Sequence, residues 1–81
     1  MRLTVRLFAA YRELVGANLV EVVLSDRATA RDVPLALAES FPQLREALAS
    51  GRLVVNQEFA SPDLLIRPGD EVAMLPPVSG G

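Results

Sequence analysis

Two short stretches of alternating apolar and polar residues, one near each end of the sequence, set the strongest constraint on the fold. In the first stretch Leu3, Val5 and Leu7 alternate with polar neighbours. In the second, over 71–75, Val72 and Met74 are predicted to point inward and the residues between and around them outward. Successive side chains of a strand point to opposite faces, so a period of two predicts half-buried β-strands. A chain of 81 residues has room for one core. We therefore expect both strands to belong to a single sheet.

Shorter elements are predicted between these two strands. Good helix formers that end at Gly16 predict a helix over 9–15, because glycine favours the left-handed cap that closes a helix. Another short helix is expected over 43–49. Pro68 followed by glycine predicts a type II turn before the last strand. Strands are predicted over 19–24, 53–56, 64–66 and 71–75. This order indicates an α+β fold, a mixed sheet with a helix packed across one face.

The longest helix has two candidate starting points. Three apolar side chains recur at four-residue spacing, which predicts one buried helix face: Val33, Leu37 and Phe41. Thr29 and Asp32 resemble a capping box. Pro34 conflicts with a start at Thr29, because proline beyond the first turn removes a helix hydrogen bond. Taking Asp32 as the N-cap places Pro34 in the first turn and resolves the conflict.

The composition excludes several classes of function. The sequence has no cysteine and no histidine, and all eight of its cationic side chains are arginines. Thiolate chemistry and zinc–thiolate sites are thereby excluded, and the usual general base at neutral pH is missing. We expect no autonomous active site, no bound metal and no resident cofactor. A net charge of −2 without basic runs argues against nucleic-acid binding. Short apolar runs argue against a membrane span, so we expect a cytoplasmic protein.

The sequence continues beyond the last predicted strand into a distinctive segment. We divide the chain into a domain over 1–75 and an extended segment over 76–81. Two prolines end the strand and favour a stiff, extended stem. A serine and two glycines follow, and glycine can enter a narrow channel because it has no side chain. The segment reads Pro76, Pro77, Val78, Ser79, Gly80 and Gly81. Either it is an ordinary frayed terminus, or it inserts into another protein and presents an unhindered carboxylate.

Three apolar residues are candidates for a docking surface beside this segment. Phe8 is in phase with the polar face of the first strand, and Leu75 is in phase with the polar face of the last. If these strands are adjacent and parallel, the two side chains emerge together where the chain leaves the sheet. Phe59 lies in a polar setting and has no evident strand partner. Exposed apolar groups beside a functional segment indicate docking. Phe8 has an equally weighted alternative, that it caps the core edge under the short helix.

Four blocks of the sequence resemble a known family, the small subunits of molybdopterin synthase, which are ubiquitin-like sulfur carriers. The blocks span nearly the whole chain, and the last two are highly specific. They are Phe8-Ala9 with Arg12-Glu13-Leu14 and Gly16; Val55-Asn56-Gln57; Gly69-Asp70-Glu71-Val72-Ala73; and Pro76-Pro77-Val78-Ser79-Gly80-Gly81. Pro34 and the lack of lysine depart from the family pattern. The resemblance implies a β-grasp fold, in which the first and last strands are parallel neighbours.

The resemblance also implies a chemical role for the last residue. In this family an ATP-dependent, E1-like enzyme adenylates the terminal carboxylate, here that of Gly81, and a persulfide donor converts it to a thiocarboxylate. The segment then enters the large subunit, in a complex of two small and two large subunits, and gives sulfur to cyclic pyranopterin monophosphate. AMP and sulfur are thus carried on Gly81 only transiently. Family contact patches map onto Phe8, Phe59 and Leu75.

Three alternatives remain open at the level of sequence. A carrier for thiamine thiazole synthesis shares the mechanism, although such carriers are typically shorter and lack the Pro-Pro-Val stem. A ubiquitin-like modifier would join Gly81 to lysines of target proteins after the same adenylation. A plain interaction domain would carry an inert terminal segment.

Overall fold

The computed structural model describes residues 1–77, which fold around one five-stranded sheet. These residues form five strands, three α-helices and one 3-10 turn: β1 Arg2–Leu7, α1 Ala9–Val15, β2 Leu19–Val23, α2 Asp32–Ser40, the 3-10 turn Pro42–Leu44, α3 Arg45–Leu48, β3 Arg52–Val55, β4 Glu58–Phe59 and β5 Val72–Leu75. Within the described part of the chain, no helix is long and apolar enough to cross a membrane.

The last strand of the chain lies at the centre of the sheet. The strand order is β2-β1-β5-β3-β4. β5 pairs in parallel with β1, with Val5 opposite Val72 and Leu7 opposite Met74. The other pairs, β1 with β2, β3 with β5 and β3 with β4, are antiparallel. The predicted mixed sheet with parallel first and last strands is confirmed.

The core lies between one face of the sheet and the helices. The alternation read from the sequence is realised, since Leu3, Val5 and Leu7 are all buried on this inner face. Two side chains of α2, Val33 and Leu37, cover them and are completely buried. The remaining predicted core positions behave as expected, with Leu44 and Leu48 buried and Phe41 partly buried. The helix predicted over 43–49 is formed by the 3-10 turn and α3 together.

The start of α2 combines features of both sequence-based interpretations. The helix begins at Asp32, and Arg31 occupies the N-cap position, so the prediction of Asp32 as the N-cap was wrong. The Asp32 carboxylate accepts hydrogen bonds from the backbone N–H of Thr29, at 2.8 Å, and from its hydroxyl, at 3.4 Å. This is the acidic half of a capping box, which stabilises the turn preceding the helix. Pro34 falls in the first turn, where a backbone N–H is not required.

Two strand predictions need correction. Residues 64–66 do not form a strand of the sheet, because their only bridge joins Leu65 to Thr29. Conversely, Phe59 does have a strand partner, since it lies in β4 opposite Val54. The hairpin that creates β4 turns through Asn56 and Gln57, which both have positive φ angles, of 52° and 71°. Positive φ at both central residues is the geometry of a two-residue hairpin loop.

Candidate functional site: the end of β5 and the outer sheet face

β5 ends at one end of the sheet, and the chain leaves the sheet there. Leu75 is the last strand residue, Pro76 is half-buried and Pro77 is exposed. Neither proline can donate a backbone hydrogen bond to a neighbouring strand, which explains why the sheet pairing ends here. Four of the predicted site residues, Val78, Ser79, Gly80 and Gly81, lie outside the described residues.

The start of β5 is held by a polar network. Asn56 donates a hydrogen bond from Nδ2 to Asp70 Oδ1 at 3.0 Å, and its Oδ1 accepts one from the backbone N–H of Glu71 at 2.9 Å. Asp70 Oδ2 also accepts the backbone N–H of Arg67 at 2.8 Å. The Arg67 and Asn56 hydrogen bonds favour the carboxylate and hold the pKa of Asp70 below its usual value. The network joins two of the sequence blocks noted above and fixes the register of the last strand.

A second element of this network is the turn that precedes Asp70. Gly69 has a φ of 90°, which a type II turn requires at its third position. The backbone N–H of Asp70 donates to the Arg67 carbonyl at 3.1 Å and closes the turn. The turn predicted from the Pro-Gly pair is therefore confirmed.

The end of β5 is held by close packing around Gly51. A Cβ atom at this position would lie 2.1 Å from Tyr11 Oη, 2.8 Å from Met74 Cε and 3.1 Å from the Leu75 carbonyl oxygen. Only glycine lets the connection before β3 come this near to the last strand. Tyr11 is buried, and its hydroxyl donates to the Ala47 carbonyl at 3.0 Å. Burial raises the pKa of the Tyr11 phenol. These contacts set where the chain leaves the sheet.

The sheet face that points away from the helices, called here the outer face, contains the three candidate docking residues. Phe8 continues β1 in an extended conformation, with φ −121° and ψ 157°. The register of β1 with β5 places it beside Leu75, as predicted. Phe8 is 38% exposed and Phe59 is 58% exposed, whereas Leu75 is half-buried. Phe8 and Leu75 are therefore neighbours, and Phe59 lies two strands away from β5.

Sequence reasoning missed the residue that connects Phe59 to Leu75. Arg52 in β3 lies directly opposite Leu75 in β5. Its guanidinium carbon lies 3.9 Å from the centroid of the Phe59 ring, the geometry of a cation–π contact. The alternation of β3 could have revealed this placement, because Leu53 and Val55 are buried and so direct Arg52 to the outer face. The three apolar candidates and this arginine share one end of the sheet.

Between residues 1 and 77 there is no cluster of three or more acidic side chains placed to hold a metal ion. No buried side-chain polar atom in that range lacks a hydrogen-bond partner. The features that stand out are a positioned end of β5 and an outer face on which exposed apolar side chains lie beside Arg52, which is stacked on Phe59. Such an arrangement can present a terminal segment and bind protein surfaces.

Comparison with solved structures places the fold in the ubiquitin-like β-grasp class, as the sequence predicted. SAMP1 from Haloferax volcanii, a small archaeal modifier protein, matches with a TM-score of 0.88 and 30% identity over 100% of both chains. A complex of subunits 1 and 2 of the molybdopterin-converting factor from Helicobacter pylori contains a chain that matches with a TM-score of 0.68. This second match has 21% identity over 100% of both chains and is evidence for the fold alone.

The family follows from the sequence comparisons. The model of the ThiS family matches residues 5–81, and the chain belongs to this family. Its curated relatives include the molybdopterin synthase sulfur carrier subunit of Escherichia coli, with 41% identity over 91% of this chain and 93% of the relative. The same subunit of Dictyostelium discoideum is 37% identical, over 93% of this chain and 91% of the relative. The resemblance noted from the sequence motifs is confirmed.

Proposed function

We propose that this chain is the sulfur carrier subunit of a molybdopterin synthase and that Gly81 carries the sulfur. An ATP-dependent, E1-like enzyme adenylates the Gly81 carboxylate, which is otherwise a poor electrophile. The outer sulfur of a donor persulfide then attacks the adenylate and displaces AMP, which forms an acyl disulfide. A second thiol cleaves this disulfide, releasing the thiocarboxylate on Gly81 and leaving a disulfide on the donor. The terminal segment enters the large subunit and donates this sulfur to cyclic pyranopterin monophosphate. Two such deliveries, one sulfur atom each, build the dithiolene of molybdopterin. The assembly holds two small and two large subunits.

The observation that carries this proposal is the path of β5. This central strand runs parallel to β1 and ends at Leu75, and the sequence then continues through two prolines to Gly80-Gly81. The polar network at one end of the strand and the Gly51 contact at the other fix its position. A fixed strand gives the terminal segment a defined origin, which shortens the search for a narrow channel. The large subunit and the activating enzyme supply the catalytic side chains that this sequence lacks.

Docking on the outer face is the second part of the proposal. Phe8, Phe59 and Leu75 contact the large subunit and, at a different time, the activating enzyme. Large apolar groups that remain exposed in a folded domain are typical of binding surfaces. Their position beside the end of β5 means that docking and insertion of the terminal segment occur together. A carrier that serves two enzymes needs contacts that release readily, and partial exposure of these residues is compatible with moderate affinity.

A second candidate function has a specific observation in its favour. SAMP1, which matches this chain over its full length, is a small archaeal modifier protein. The modifier function begins with the same adenylation but ends in an isopeptide bond between Gly81 and a lysine of a target. A carrier for thiamine thiazole synthesis is a third possibility within the ThiS family. An inert terminal segment is the fourth.

Intact mass spectrometry of the protein from cells with and without a sulfurtransferase distinguishes these candidates. Replacement of one terminal oxygen by sulfur, dependent on the sulfurtransferase, is the result expected for a carrier. Lysine-linked conjugates would favour the modifier, and an unchanged mass would favour the inert domain. Rescue of a molybdenum-cofactor auxotroph, compared with a thiamine auxotroph, then separates the two carriers.

Changing the length of the chain tests the role of Gly81 directly. Removal of Gly81, or addition of one residue after it, is expected to abolish sulfur transfer, because the reacting carboxyl group is displaced by a whole residue. The melting temperature should stay near that of the wild type, since the core ends with β5. Unchanged synthase activity in either variant would overturn the assignment.

A further inference from the structure

The end of the outer face where β5 terminates carries positive charge. One cross-strand row runs over all five strands, and its members are Leu19, Arg6, Ala73, Val54 and Phe59. Arg52, opposite Leu75, lies two pairs further toward the terminal segment, on the same face. Arg6 and Arg52 thus flank β5 on its two sides, and both are exposed. Neither has an ion-pair partner among residues 1–77.

Acidic side chains of the outer face lie nearer the start of β5, where Asp70 and Glu71 line the same surface depression as Arg6. Glu21 is opposite Thr4, toward the other end of β1, and Glu71 precedes β5 at that same end. Glu58 is opposite Val55, whose side chain is buried against the core, so it does not share the outer face with Phe59. The whole chain has a net charge of −2. The positive charge around the end of β5 is therefore opposite in sign to that of the whole chain.

Arg52 is also held in place before any partner arrives. Its guanidinium lies over the Phe59 ring at 3.9 Å. Stacking on an aromatic ring restricts the rotamers of the arginine while its N–H groups remain available at the edge. A positioned guanidinium loses less entropy on binding than a free one and matches a carboxylate with two parallel hydrogen bonds. The structure thus presents a preorganised donor directly beside Leu75.

We propose that Arg6 and Arg52 form a cationic pair that binds acidic side chains of the large subunit around the channel that receives the terminal segment. The inference rests on the proposed function and adds the chemistry of the partner surface. A docked large subunit that covers Leu75 also covers Arg52, because the two residues are cross-strand neighbours. A guanidinium that is removed from water needs a compensating anion, since an unpaired buried charge is costly. The partner must therefore supply aspartate or glutamate at this position.

The two arginines also give the complex a defined orientation. They lie on opposite sides of β5, so two carboxylates of the partner fix rotation about the strand axis as well as position. Charge complementarity of this kind accelerates association and discriminates between partners. The apolar residues alone are less selective, because apolar contact lacks direction.

Three matched substitutions test the proposal. Arg52→Gln and Arg6→Gln remove a charge near the end of β5, whereas Arg2→Gln removes the same charge from the same face of β1 at its other end. The association rate and affinity for the purified large subunit are measured at several salt concentrations. Each of the first two variants is expected to bind about tenfold more weakly and with a shallower salt dependence. Arg2→Gln is expected to match the wild type.

The outcomes separate this inference from the proposed function. If the wild type binds the large subunit and all three variants bind equally well, the cationic pair is refuted while the carrier function stands. If the wild type does not bind, both are refuted. Arg52→Lys adds a second comparison, because it retains the charge and is expected to retain the salt dependence. A lysine variant with the shallow salt dependence of Arg52→Gln would contradict the proposal.

Discussion

The two faces of the sheet use the same strands for different purposes. On the inner face, Val5, Leu7 and Met74 are at most 1% exposed and are packed against the helices. On the outer face, Phe59 and Leu19 remain more than half exposed. Burial alone explains the inner residues, because transferring them from water stabilises the folded state. Phe59 and Leu19 bury less of their surface, so we expect them to contribute less to folding than the inner residues do.

The four residues of β5 alternate between the buried inner face and the outer face. Val72 and Met74 are buried in the core, while Ala73 and Leu75 lie on the outer face and are half-buried. A strand can serve both functions because neighbouring side chains point in opposite directions. If the outer face binds a partner as proposed, we expect substitutions one residue apart to affect different properties, stability in one case and association in the other.

The largest difference in the free energy of unfolding is expected between side-chain truncations on the inner face and on the outer face. Leu7→Ala should lower the free energy of unfolding by about 2–5 kcal/mol, because it leaves a cavity in the core. Phe59→Ala should lower it by about 1 kcal/mol or less, since the ring is largely exposed and its cation–π contact is at the surface. Urea denaturation measures both values. Equal losses would show that the outer face is part of the folding core.

Substitution of Gly51 should cost slightly less stability than truncation of a core residue, and it tests whether close packing at this glycine holds the end of β5. Gly51→Ala should cost about 1–3 kcal/mol, because the added Cβ collides with Tyr11 Oη. Tyr11→Phe removes that oxygen and loses a hydrogen bond to Ala47, at a cost of about 1 kcal/mol. The double variant should be more stable than the sum of the single effects predicts. Strict additivity in denaturation experiments would place the collision elsewhere.

Leu75→Glu should separate binding from stability on the outer face. We expect binding to the large subunit to weaken by about tenfold or more, because a charged group replaces an apolar contact. The loss of stability should be smaller, since Leu75 is already half-exposed. Calorimetric titration and thermal unfolding measure the two effects. A large fall in melting temperature with intact binding would identify Leu75 as a core residue.

The smallest change in stability is expected when the Asp70 hydrogen-bond network is weakened, and this change should depend on pH. The hydrogen bonds from Arg67 and Asn56 lower the pKa of Asp70 from 3.8, so the carboxylate is favoured in the folded state. This contribution is fully present above the ordinary pKa and is lost as the pH falls through the lower, folded-state pKa. Asp70→Asn should therefore be less stable than the wild type near neutral pH, and the two should converge in acid. Denaturant unfolding from pH 7 to pH 2 measures the difference; an unchanged difference at every pH would show that ionisation of Asp70 does not contribute.

The sequence predicted those parts of the fold whose signals extend over several residues. β1 and β2 show clear alternation, α1 ends at a glycine with a φ of 84°, and the parallel pairing with β5 follows from the β-grasp pattern. β4 was not predicted, because a strand of two residues is too short to show the alternation of buried and exposed side chains. Its hairpin loop also lacks glycine, the usual indicator of positive φ. The strand expected over 64–66 was wrong because those residues pair through a single bridge with Thr29.

The candidate site was predictable to a similar degree. Strand phase, combined with the parallel pairing of the first and last strands that the β-grasp resemblance implies, placed Phe8 and Leu75 together. The contact between Arg52 and Phe59 could not be anticipated, since it depends on the unpredicted pairing of β3 with β4. The close approach at Gly51 likewise depends on tertiary packing, which no local pattern encodes.

The central position of the last strand has a consequence for biosynthesis. A nascent chain cannot close its sheet while Val72–Leu75 is still within the ribosome, because this strand separates β1 from β3. Folding must therefore wait until nearly the entire sequence has been translated, and pairing of such distant segments is intrinsically slow. A message truncated before this strand would yield a product without a complete sheet, and such products are exposed to proteolysis. Native structure in this domain therefore forms only after β5 has been made and has left the ribosome.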